Sequence, residues 1–140
     1  MRQSEVADTE GSDLRMKLFT VEEANALLPS VREILQKVRR SRRRLAAYRH
    51  EAKLAAEGAE QGGGGMAEGV QYAMILTHLT EEMSELEALG VQLKDFDRGL
   101  VDFPSLRDGR VVLLCWQLGE GNELEWWHDM DAGFGGRTPL

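Results

Sequence analysis

Between residues 20 and 57, positions spaced seven apart fall into two interleaved sets: Ala24, Val31, Val38, Leu45 and Ala52, and Leu27, Ile34, Ser41, Tyr48 and Ala55. All but Ser41 and Tyr48 are fully apolar. Spacing of this kind lays one coiled-coil-like stripe along a long helix. Thr20 and Glu23 form a capping box at its start, and Phe19 is placed for a hydrophobic staple on Ala24. Pro29 falls inside the pattern and is expected to bend or separate the first turns. The helix is expected to stop near Gly58, before the flexible tip Gly62–Gly65. Beyond it Tyr72, Leu76, Leu79, Met83 and Leu86 alternate by four and three, predicting a second helix over about residues 67–89 that ends at Gly90. Two helices joined by a short loop pack antiparallel, so residues 20–89 read as a helical hairpin. Folding it about Gly62 sets Arg39, Arg42 and Arg43 level with Glu85, Glu82 and Glu81.

The last third changes period. Val91–Phe96, Leu100–Phe103, Val111–Leu118 and Glu123–His128 are short and rich in β-branched and aromatic residues, with turn chemistry at Asp97-Arg98-Gly99, Asp108-Gly109 and Gly119–Asn122. They predict a meander of three or four antiparallel strands over 91–140. Val111–Leu118, nearly continuous in apolar residues, is its central strand, and Pro104 lies just after a strand. The tail 131–140 is glycine-rich, with Phe134 and Arg137 as anchors. The expected fold is therefore α+β: one domain over 17–140, preceded by residues 1–16, which lack periodicity and are expected to be disordered.

Charge narrows the function classes. A net charge of −7 argues against general affinity for nucleic acid or anionic membrane. It is unevenly spread: residues 17–57 are basic and 58–90 acidic, which the hairpin explains by facing one against the other. Arg39–Arg44 therefore read as a compensated helix face, without the interleaved aromatics that nucleic-acid stacking needs. Gly62–Gly65 is followed by Met66-Ala67 instead of the Lys-Ser/Thr of a phosphate loop. No apolar run approaches the ~20 residues of a membrane span. The single Cys115 favours a reducing compartment, and the expected location is the cytoplasm.

Candidate chemistry gathers near the C-terminus. Trp116, Trp126, Trp127 and His128 lie among Glu120, Glu125, Asp129 and Asp131. Alternation puts Trp126 and His128 on one face of the last strand and Trp127 on the other. A histidine beside carboxylates can act as a general base or a metal ligand, so His128, Asp102, Glu120 and Asp131 are the catalytic candidates. His128 and Asp131 are the metal candidates, with a divalent ion admissible but no cofactor required. Lys94, Asp95, Trp116, Trp127 and Arg137 are candidates for ligand binding. The alternative for His128 is a structural ring packed on tryptophan and bonded to an aspartate. His78 and Glu82 stand one helical turn apart without a Glu-x-x-His motif, and nothing in the sequence brings His50 or His78 to His128. Cys115 reads as a small apolar residue of the central strand.

The ordered blocks Phe19-Thr-Val-Glu-Glu-Ala-Asn-Ala-Leu-Leu-Pro29, Leu89-Gly-Val-Gln-Leu-Lys-Asp95, Gly99-Leu-Val-Asp-Phe-Pro104, Leu114-Cys-Trp116, Gly119-Glu120, Trp127-His128, Gly133-Phe134 and Arg137 resemble the bacterial domain-of-unknown-function 2203 family from about Lys17 to Leu140. The resemblance implies that Lys94, Asp95, Asp102, Glu120, His128 and Arg137 belong to the family's recurring blocks; it implies no activity. Gly121-Asn122-Glu123 departs from the Pro-Glu associated with the position after Gly-Glu. Two classes of function follow. The first is a non-enzymatic assembly or interaction module that forms a homodimer through its helical hairpin, covering stripes that a lone hairpin leaves open. The alternative is a small enzyme or metal-binding protein using His128 and nearby carboxylates, with Lys94 or Arg137 for an anionic substrate.

Overall fold

A computed structural model describes residues 5–8, 15–58 and 65–140. Strands β1 (Glu5–Asp8) and β2 (Arg15–Leu18) pair antiparallel, elements that the sequence pattern does not announce. The rest of the 1–16 extension and most of the glycine tip lie outside the described residues. Helix α1 runs unbroken from Val21 to Gly58 and α2 from Gly65 to Ala88. A five-stranded antiparallel sheet follows, in the order β3 (Gln92–Asp95), β4 (Leu100–Arg107), β5 (Arg110–Gln117), β6 (Trp126–Asp129), β7 (Thr138–Pro139). The α+β class stands, with β5 central. The count is five instead of three or four, because the tail adds a short edge strand, Thr138 against Trp127.

Local signals explain the helix ends. Glu23 N–H donates to Thr20 Oγ1 (3.0 Å) and Thr20 N–H to Glu23 Oε1 (2.9 Å), the reciprocal capping box. At the other end of the hairpin, Val91 N–H reaches the Leu86 carbonyl and Gly90 N–H the Glu87 carbonyl, with Gly90 at φ +88°. That pair is a Schellman cap, and it requires a residue tolerant of positive φ. Pro29 leaves α1 a single helix, so its first turns are not a separate segment.

The hairpin is antiparallel: Lys37 meets Glu85, Ser41 donates to Glu82 (2.8 Å), and Tyr48 stacks near Tyr72. Arg39 and Arg42 do not pair with Glu85 and Glu82 as the hairpin register suggests. Arg39 and Arg42 reach sideways to Asp97, in the β3–β4 turn, and Arg42 lies over Phe96. This happens because α1 packs on the sheet as well as on α2. Leu28 and Leu35 are fully buried beside the expected Ala24, Val31 and Val38, giving a face wider than a two-helix seam. These side chains share one core with Leu86, Val91, Val101, Phe103, Leu114 and Trp116.

Strand β4 runs through Pro104 instead of stopping before it. The Pro104 carbonyl accepts Phe19 N–H (2.7 Å), so the ring nitrogen also faces that side, away from the β5 ladder, and its missing N–H breaks no bond there. Two-residue turn Asp108-Gly109, with φ of +53° and +80°, closes β4 on β5 and fixes Arg107 opposite Arg110.

Gly99 (φ +66°) sits where an added Cβ would lie 2.7 Å from the Leu118 Cβ. Gly99→Ala is expected to cost about 2 kcal/mol or more in urea unfolding, since both conformation and contact resist it. Gly121→Ala, with open space around it, is expected to stay within about 0.5 kcal/mol. Equal effects at the two positions would contradict this reading of the β3–β4 turn.

Candidate functional site

Pairing in the sheet decides which side chains meet. Asp102 on β4 stands directly opposite Cys115 on β5, and Leu113, two residues earlier on that face, stands opposite His128 on β6. Directly paired residues point the same way, and so do residues two apart. Asp102, Cys115 and His128 therefore project together from the face turned away from the helices. One ligand atom from each lies within 4.8 Å of the others. They are 2%, 1% and 4% exposed, so the cluster is shut off from bulk water.

The histidine is held at both nitrogens. Nδ1 lies 2.8 Å from the Asp129 carbonyl and Nε2 lies 3.1 Å from Asp102 Oδ1. A carbonyl oxygen only accepts, so Nδ1 carries a hydrogen and donates it. In the neutral ring Nε2 then presents a lone pair to Asp102 and Cys115. Burial pushes the Asp102 carboxyl above its ordinary value, while the nearby His128 and Lys94 pull it down. Burial, with the adjoining Asp102, pushes the Cys115 thiol up to about 12. The resting cysteine is therefore a neutral thiol, donating to the Asp102 carboxyl, and not a free nucleophile.

Other expected residues divide between the two faces. Lys94 is exposed on β3, close enough for its charge to act on Asp102. Glu120 and Arg137 act on Cys115 in the same way. Glu120 spreads its two oxygens, one accepting Gln117 N–H (2.9 Å) and the other Arg137 Nη2 (2.7 Å). The Arg137 guanidinium lies over the Trp126 and Phe134 rings, at 4.8 and 4.3 Å. Asp95 is brought to no site: its Oδ1 accepts Asp97 N–H and Arg98 N–H, holding a turn. Trp116 and Trp127 belong to the helix-facing side, where Trp116 Nε1 donates to the Gly121 carbonyl (2.9 Å) and Trp127 packs against the core. Asp131 is exposed and does not join the cluster, and His50 and His78 stay exposed on the helices. Cys115, which reads in the sequence as a small apolar residue of the central strand, lies with Asp102 and His128 in this cluster. Counting back from the Asp108-Gly109 turn pairs it with Asp102, a signal available without coordinates.

A raised Asp102 pKa has a definite pH consequence. Its protonated form favours the fold, so that contribution is complete below the ordinary value of 3.8 and is lost as pH rises through the folded pKa. Asp102→Asn cannot ionise, and an amide there can still donate to Nε2 and accept from the thiol. Its stability relative to the native chain, followed by urea denaturation from acid to neutral pH, is expected to rise with pH. A constant or falling difference would contradict a destabilised Asp102 carboxylate.

Among the described residues no helix is long and apolar enough to cross a membrane. No curated protein and no solved structure matches the chain. A family model described as "Uncharacterized conserved protein (DUF2203)" matches residues 17–140. That span holds both helices, the whole five-stranded sheet and all three residues of the buried cluster, and the chain belongs to the DUF2203 family.

Proposed function

We propose that the protein binds a divalent transition metal ion through Asp102, Cys115 and His128. The observation that carries this reading is the anchoring of His128. Its Nδ1–H is tied to the Asp129 carbonyl, which turns the Nε2 lone pair toward a carboxyl and a thiol. Metal-ligating histidines are oriented by this kind of outer hydrogen bond. One thiolate, one imidazole and one carboxylate suit a borderline-soft ion such as zinc or cobalt better than magnesium or calcium. Three protein ligands leave a further position for water or a substrate atom, which keeps hydrolytic or Lewis-acid chemistry open to the site. Binding must displace the Cys115 proton, so affinity rises with pH.

Cobalt(II) titration of the purified protein is expected to give a thiolate-to-metal charge-transfer band saturating near one equivalent. Cys115→Ser is expected to abolish the band, and His128→Ala to weaken binding by about tenfold or more. A titration without a thiolate band would end the metal reading.

A second reading, assembly as a homodimer through the hairpin, has its own support. Among the described side chains of α2, Ile75 and Leu86 alone are fully buried, while Val70, Met74 and Met83 are 56%, 53% and 37% exposed. Met83 borders a groove of about 480 Å³ between α2 and β3, lined also by Leu86, Val91 and Leu93. Apolar residues on several sides of a helix favour cover on several sides. A second copy suits this face by charge. The exposed Arg40, Arg43 and Arg44 of one α1 would lie beside the exposed Glu81 and Glu87 of the other α2 in a two-fold pairing. Sedimentation at micromolar concentration is expected to show a dimer that Met74→Glu with Met83→Glu converts to monomer. A monomeric native chain would remove this reading and leave the metal reading untouched.

A further inference from the structure

Besides Trp127 Nε1 on the helix-facing side, two buried polar atoms have no hydrogen-bond partner among the described residues: Gln117 Oε1, an acceptor, and Arg137 Nε, a donor. Their kinds are complementary. Buried groups of this sort are rare, and each calls for a physical reason. Both residues are clamped by the same carboxylate, since Glu120 holds Gln117 N–H with one oxygen and Arg137 Nη2 with the other. Gln117 follows Cys115 by two residues on β5, so its side chain leaves the sheet on the cluster's face. The Arg137 side chain is only 9% exposed, and its charge acts on Cys115. With Trp126 and Phe134 against the guanidinium and Glu120 on Nη2, the Nε–H is a fixed donor that no group among the described residues uses.

We propose that Gln117 and Arg137 form a subsite for a small oxyanion that retains a proton, of the hydrogenphosphate or hydrogencarbonate kind, next to a metal held by Asp102, Cys115 and His128. The inference rests on the metal reading. A deprotonated oxygen of the anion accepts from Arg137 Nε–H, and its hydroxyl donates to Gln117 Oε1. Coordination makes the two occupancies interdependent. A divalent ion held by the three cluster residues leaves an open coordination position for an anion oxygen, so each occupancy favours the other. Specificity comes from the amide oxygen: an oxyanion without a proton leaves Gln117 Oε1 unpaired and brings a second acceptor against it.

The cobalt(II)-loaded protein is titrated at neutral pH with inorganic phosphate, with hydrogencarbonate and with sulfate, following the visible ligand-field bands. Saturable perturbation by phosphate or hydrogencarbonate is expected, with sulfate weaker by about tenfold or more because it carries no proton at that pH. Which of the first two binds more tightly distinguishes the phosphate from the carbonate source. Gln117→Leu and Arg137→Lys are expected to lose the anion response by about tenfold while keeping the thiolate charge-transfer band, which also reports that the cluster is still folded. Sulfate as effective as phosphate, variants that respond like the native chain, or a charge-transfer band with no anion response would overturn the subsite and leave the metal reading standing. Failure to form the band at all would overturn both.

Discussion

The pairing of β4 with β5, set by the Asp108-Gly109 turn, is the constraint on which the rest of the molecule depends. With both turn residues at positive φ, the strands are joined in one register from Arg107–Arg110 back to Leu100–Gln117. That register places Val101, Phe103, Leu114 and Trp116 on one face, where α1 and Leu86 of α2 cover them. It places Asp102 opposite Cys115 on the other. A shift of one residue would exchange the faces, burying a carboxyl under the helices and taking tryptophan out of the core they cover. The apolar core and the polar cluster are therefore two outcomes of one pairing.

A buried carboxyl, thiol and imidazole bring less to stability than apolar residues of the same shape would, because each must be desolvated and bonded. The sheet holds them in order by satisfying each from its own frame. Asp129 supplies a carbonyl to Nδ1, Asp102 serves both His128 and Cys115, and the paired Glu120 and Arg137 lie near enough for their charges to act on Cys115. Such a group fits a site better than a packing accident. Its three donors converge, and the outer hydrogen bond on His128 selects the tautomer a metal needs. The hairpin contributes by position: Arg32 reaches Asn122 and lies over Trp116, and Asn25 accepts Leu124 N–H, so α1 steadies the loop between β5 and β6.

Much of this architecture could be read in advance because its signals are local. Thr20 with Glu23, Gly90 and Asp108-Gly109 each act over a few residues, and each does what its chemistry predicts. What escaped was set at a distance. The burial of Leu28 and Leu35 depends on a sheet some 70 residues away in sequence, and the turn of Arg39 and Arg42 toward Asp97 has the same origin. His128 and Asp102 were legible as candidates by residue type. Cys115 was not, because a cysteine in an apolar strand looks like packing until its cross-strand neighbour is identified. Asp131 was favoured by nearness in sequence, and the end of β6 carries it away into solvent.

X-ray absorption at the zinc edge of zinc-loaded protein tests the central claim most directly, because it counts the atoms around the ion. A single sulfur at about 2.3 Å, with nitrogen and oxygen neighbours at about 2.0–2.2 Å, is the shell that Cys115, His128 and Asp102 would supply. A shell of light atoms alone, with no sulfur, would contradict it.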